Sequence, residues 1–64
     1  MIGYVAKAMI HSKNAIGDVE IIGMPNEERQ FKMKVLESGV VCLGIFNIFN
    51  GLYYADDVYC KVVE

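Results

Sequence analysis

The sequence predicts a small, mostly β domain in which about five short strands form a barrel-like or curled antiparallel sheet completed by homo-oligomerisation. The chain has 64 residues, enough for one small domain over 1–64. Apolar residues make up 55% of it, more than so small a globule can bury. Between the turn signals, the apolar residues recur mainly with the two-residue period of strands.

The first segment, residues 2–10, fits two patterns. Its apolar residues match both a helical stripe and one face of a strand. Gly3, Tyr4 and Val5 are poor helix formers, so we predict a strand. Residues 12–18 follow as a predicted loop, with Asn14 and Gly17 as turn formers.

The next two segments are predicted to pair as a hairpin. Residues 19–24 are rich in β-branched side chains, and residues 31–35 alternate apolar and cationic side chains, which is typical of a half-buried strand. The polar segment 25–30, which contains Pro25, connects them. A helix over 27–38, capped by Asn26, is the alternative, but its apolar positions do not form one stripe.

Residues 40–63 are predicted to form a second hairpin. Asn50-Gly51 is suited to a two-residue turn, which would set Phe49 opposite Leu52. One face would then hold Val41, Leu43, Ile45, Phe49, Leu52, Tyr54, Val58 and Cys60. The other would hold Val40, Cys42, Phe46, Ile48, Tyr53, Ala55 and Tyr59. We expect Gly44 and Asp56-Asp57 to interrupt the pairing by a bulge or a second turn.

Both faces of this hairpin are apolar, and the remaining residues can hardly cover both. Small domains are usually stabilised by disulfides, a metal or association. Cys42 and Cys60 are the only cysteines, and no clustered metal-ligand motif is present. We therefore predict that a second copy of the chain supplies the missing cover.

The short motifs that resemble catalytic or metal sites are too unspecific to indicate an enzyme. Tyr54-Ala55-Asp56-Asp57 resembles the four-residue string of the catalytic hairpin of reverse transcriptases, but the resemblance covers only those positions. A polymerase also needs a third carboxylate and a much longer palm, so two solvated turn aspartates are expected. His11 and the two cysteines have no metal-site spacing. We predict no enzyme, no metal and no cofactor, with both cysteines reduced among apolar residues.

Six residues are candidates for binding. Arg29, Lys32 and Lys34 could form a cationic strip able to recognise a phosphorylated ligand, although neighbouring glutamates reduce its charge. Tyr53, Tyr54 and Tyr59 are suited to a subunit or partner contact, because tyrosine tolerates surfaces that are apolar but partly wet.

These observations favour a non-enzymatic protein-interaction module, an inhibitor or adaptor, that acts as a homo-oligomer. The small size of the chain alone suggests an inhibitor or adaptor encoded by a phage or a mobile element. The alternatives are an oligomeric binder of a small phosphorylated or nucleotide-like ligand and a small barrel that binds single-stranded nucleic acid. The net charge of −2 disfavours the last. Without a secretion signal or a run long enough to span a membrane, we expect a cytoplasmic protein.

Overall fold

The computed structural model describes the backbone of residues 3–61 and the side chains of residues 3–58. Five strands form a closed barrel in chain order. They are β1 (Tyr4–Ile10), β2 (Ala15–Ile21), β3 (Phe31–Val35), β4 (Val41–Asn47) and β5 (Leu52–Lys61). The fold class predicted from the sequence, a small mostly β barrel, is therefore confirmed.

The connectivity dictates how the barrel closes. Each strand pairs antiparallel with the next, from β1 to β5. Because the number of strands is odd, β1 and β5 point in the same direction, and they can pair only in parallel. Three residue pairs form this seam, at Ala8, Met9 and Ile10 of β1.

The interior follows the two-residue period of the strands. Eight hydrophobic residues are fully buried among the described side chains: Ala8, Ile10, Val19, Ile21, Met33, Val35, Cys42 and Ala55. Two of the eight are alanines, and Gly17 and Gly44 also lie on the inward-facing positions of β2 and β4. Such small residues let a five-stranded barrel close around a narrow core.

Several strand predictions are confirmed. Residues 4–10 form a strand rather than a helix, and β2 pairs with β3 across the segment that contains Pro25. In β3, Met33 and Val35 are buried, whereas Lys34 is exposed. Cys42 is buried among apolar residues, as expected; the side chain of Cys60 lies outside the described part.

Two local predictions are wrong. The loop predicted over 12–18 is only a short turn, because β2 begins at Ala15 and its pairing with β1 extends to Ile10. Asn14 adopts a φ of 52° there, and its backbone N–H donates to the carbonyl of Ile10 at 2.8 Å, which closes the turn. Gly44 does not interrupt the pairing of β4, since it lies in register between Phe31 and Ala55.

The predicted turn at Asn50-Gly51 is also wrong. Leu52 pairs with Asn47 rather than with Phe49, so a four-residue loop over 48–51 joins β4 to β5. The pairing is displaced by two residues, an even number, so the side chains of Leu43–Asn47 and Leu52–Asp56 keep their predicted faces, whereas Ile48 and Phe49 move into the loop. Asp56 and Asp57 belong to β5 instead of a turn, and the expected irregularity lies beside them, between Cys42 and Leu43. Beyond this irregularity, Cys42 is paired with Lys61.

Gly44 is required by the close approach of two strands. A Cβ at this position would meet the main-chain carbonyl oxygen of Tyr54, and it would lie 2.9 Å from Cε of Met33. A main-chain carbonyl held in a β-ladder cannot move aside easily. The narrow core therefore depends on a residue without a side chain at this point of β4.

We expect Gly44→Ala to destabilise the barrel by about 3 kcal/mol or more, at the upper end of the range for overpacked cores. Urea unfolding followed by circular dichroism measures the change. Gly17→Ala is the matched control, because its Cβ would meet only the end of the Ile10 side chain, at 2.5 Å. Equal losses of stability in the two variants would contradict this explanation.

Within residues 3–61, no helix is long and apolar enough to cross a membrane.

Candidate functional site: a groove beside the β4–β5 loop

An open groove of about 470 Å³ lies between the β2–β3 loop and the end of β4. Its apolar lining consists of Pro25, Phe31, Ile45, Phe46 and Ile48. Glu28 and Arg29 also line it, and they are its two charged residues. A mainly apolar concave surface with a few polar groups is the usual form of a binding site. We call this surface the apolar groove.

Tyr53 supports the groove from inside the barrel. Its ring packs edge-on against Phe31, with centroids 5.3 Å apart, and against Phe46, at 4.9 Å. Its hydroxyl group is hydrogen-bonded to that of Tyr4 at 2.6 Å. Burial first, and then the hydrogen bond and electrostatic effect of Tyr4, raise the pKa of Tyr53 to about 12. The two aromatic walls of the groove are thus held by a neutral, hydrogen-bonded tyrosine.

The β2–β3 loop is held in place by Asn26. Its side-chain oxygen accepts hydrogen bonds from the backbone N–H groups of Glu28 and Gln30, both at 2.9 Å. Its backbone N–H donates to the carbonyl of Gln30, and its carbonyl accepts from Arg29. These bonds fix the turn in which Arg29 adopts a φ of 63°. The charged side of the groove is therefore built on an ordered loop.

The β4–β5 loop holds two apolar side chains away from the barrel. Ile48 is 76% exposed and Phe49 is 94% exposed. The loop is nevertheless well hydrogen-bonded, because Asn47 accepts from the N–H of Phe49 and Asn50 accepts from that of Leu52. Gly51 completes the turn with a φ of 73°. A phenylalanine is thus presented to solvent by a defined loop, right beside the apolar groove.

A polar cluster lies just beyond the last residue pair of the β1–β5 seam, Ile10 with Ala55. The Asp57 side chain is only 6% exposed, and it accepts hydrogen bonds from the N–H of Ser12 at 2.9 Å and from its hydroxyl group at 2.6 Å. Nδ1 of His11 is hydrogen-bonded to the hydroxyl group of Tyr54. These contacts fasten the turn after β1 to β5, where the parallel pairing ends.

The charged form of Asp57 is the stabilised one. Burial raises the pKa of this carboxyl group. Hydrogen bonds from Ser12 and from the Asp57 backbone, together with the charge of His11, lower it by more than burial raises it. The net effect is a pKa below the ordinary value. The Ser12 hydroxyl group donates to this carboxylate, so its proton is engaged in a structural bond.

The structure separates the six predicted binding residues. Arg29 lines the apolar groove, whereas Lys32 and Lys34 project from the outer side of β3 and do not line it. Tyr53 faces the interior and Tyr54 the exterior, so the two tyrosines do not share one surface. Tyr59 belongs to β5, but its side chain lies outside the described part.

Sequence reasoning missed Ile48 and Phe49 as exposed residues. The Asn50-Gly51 step suggested the tightest turn and placed both side chains on strand faces. A detectable signal was the pair of asparagines at 47 and 50, since each can accept a hydrogen bond from the backbone two residues further on. That pattern favours a longer loop, with the two apolar residues at its tip.

Comparisons with protein-family models, with curated proteins and with solved structures find no match to this chain. Among the described residues, no group of three or more histidines, cysteines, aspartates or glutamates could hold a metal ion.

The Asp57 cluster predicts a pH dependence of stability. Because the pKa of Asp57 is lower in the folded chain, its contribution is complete above the unfolded value of about 4 and is lost as the pH falls through the folded value. We expect Asp57→Asn to destabilise the barrel by about 1–3 kcal/mol at neutral pH. It should also flatten the decline in stability towards acid pH, measured by urea unfolding at several pH values.

Asp18→Asn is the matched control. Asp18 pairs with Lys7 at 2.7 Å, but both side chains are well exposed, so little stability should be lost. An acid decline that is unchanged in Asp57→Asn would show that Asp57 is not its source.

Proposed function

We propose that this chain is a non-enzymatic protein-interaction module, an inhibitor or adaptor, that acts as a homo-oligomer. The observation that carries this proposal is the apolar groove next to a loop that exposes Phe49 almost completely. A contiguous exposed apolar surface on a small domain is typical of a protein–protein contact. Aromatic side chains contribute most to such contacts.

The character of the surface supports a protein partner over a charged small molecule. The groove is lined by five apolar residues and by one acidic and one basic residue. A phosphorylated ligand needs two or three cations, but among the groove residues only Arg29 is positive, and Glu28 opposes it. Single-stranded nucleic acid would in addition meet a chain with a net charge of −2.

We further propose that the protein acts in the cytoplasm. A buried thiol at Cys42 and only two cysteines in the chain are compatible with the reducing cytoplasm. The small size of the chain is the basis for proposing that a phage or a mobile element encodes it.

Native mass spectrometry and light scattering over a wide concentration range test this function. We expect a defined multiple of the chain mass that dissociates on dilution. The double variant Lys32→Gln, Lys34→Gln should associate as the wild type does, because neither lysine lines the groove. A monomer at every concentration would contradict the homo-oligomer.

The same double variant separates the alternatives. If the chain bound a phosphorylated ligand or an oligonucleotide through the outer cations of β3, neutralising both lysines would reduce that binding strongly. Binding of a mixed-sequence oligonucleotide that persists at moderate salt and disappears in the variant would replace the proposed function.

A further inference from the structure

We infer that the apolar groove of one copy receives Phe49 of a second copy, and that the exchange is reciprocal about a two-fold axis. The inference rests on the proposed self-association and identifies its interface. The groove and the exposed phenylalanine lie side by side, since Ile48 lines the groove and Phe49 is its neighbour at the tip of the same loop. The surface thus carries both a recess and a projecting side chain.

A two-fold interface must be self-complementary, because the same patch contacts itself with the residues exchanged. The apolar groove and the neighbouring Phe49 supply the recess and the projection that such a patch needs, with Phe49 of each copy entering the groove of the other. One-way insertion would leave an unfilled groove on one copy and an exposed Phe49 on the other, and it would add further copies until a ring closed or an open chain formed. Reciprocal insertion closes at two copies.

The charges of the surface are self-complementary as well. Glu28 and Arg29 line the groove together and cancel, although the chain as a whole is negative. We place the two-fold axis beside these two residues, so that Glu28 of one copy lies opposite Arg29 of the other and the pair is formed twice. A second copy therefore meets no net like charge at this surface.

The groove walls and the loop that carries Phe49 are held in place within each copy before two copies associate. Tyr53 holds the two aromatic walls, Asn26 holds the charged loop, and Asn47 and Asn50 hold the loop that carries Phe49. A preorganised contact loses little conformational entropy on association. This explains how one phenylalanine per copy can contribute strongly to the affinity.

The test is a complementation experiment. Phe49→Ser removes the inserted side chain, and Ile45→Glu places a charge on the groove wall, at a position that is already half exposed. Each variant alone should weaken dimerisation by about 30-fold or more, as expected for the loss of a central contact. An equimolar mixture should form mixed dimers more tightly than either variant associates with itself, because one intact contact is restored.

Charge variants at Glu28 and Arg29 test the same interface independently of Phe49. Glu28→Arg alone should weaken the dimer, whereas Glu28→Arg combined with Arg29→Glu should restore it, because the pairing is then inverted on both copies. Ile16→Ser is the matched control for apolar truncation, since Ile16 is exposed on β2 but does not line the groove. Circular dichroism establishes that each variant is folded.

The outcomes are distinguishable. A wild-type chain that is always monomeric would overturn both the proposed oligomer and this inference. A dimer that is unaffected by Phe49→Ser would overturn the inference alone and leave the proposed function in place. Mixed dimers no tighter than the single-variant dimers, or wild-type species that grow beyond two copies, would overturn reciprocal insertion.

Discussion

The parallel pairing of β1 with β5 is the contact on which the rest of the barrel depends. A meander of five strands can close only in this way, and the seam contains just three residue pairs. Side-chain hydrogen bonds extend the contact between β1 and β5 at both ends of the seam. Tyr4 is hydrogen-bonded to Tyr53 near the groove, and Ser12 donates to Asp57 beyond the last residue pair. One residue of the adjacent tyrosines, Tyr53, and one of the paired aspartates, Asp57, therefore contribute to barrel closure.

Closure also limits what the interior can hold. A five-stranded barrel is narrow: two of its buried residues are alanines, and Gly44 occupies a position where a Cβ would meet the backbone of the next strand. The apolar content of 55% cannot fit inside. Part of the excess lies scattered over the surface, as in any protein, but Ile45, Phe46, Ile48 and Phe49 are consecutive or nearly so, and they concentrate it at one end of the barrel. The binding surface is thus a consequence of the same constraint that shapes the core.

The sequence was most informative about the faces of the strands and least informative about loops. The alternation in β3 and the apolar faces of β4 and β5 could be predicted, because side-chain direction depends only on the two-residue period. The β4–β5 register could not, since it depends on whether Asn50-Gly51 forms the turn alone or Asn47 and Asn50 each cap a longer loop. Of the candidate site, Arg29 was predicted. Phe31, Phe46 and Ile48 form one groove only after the barrel has closed, so their proximity was not visible in the chain.

An isotope-filtered nuclear Overhauser experiment would show whether a second copy covers the exposed apolar residues at one end of the barrel. A mixture of labelled and unlabelled chains reports only contacts between copies. We expect contacts from the ring of Phe49 in one copy to Phe31, Ile45 and Phe46 in the other. Intermolecular contacts confined to another surface, or a Phe49 ring with none, would contradict this expectation.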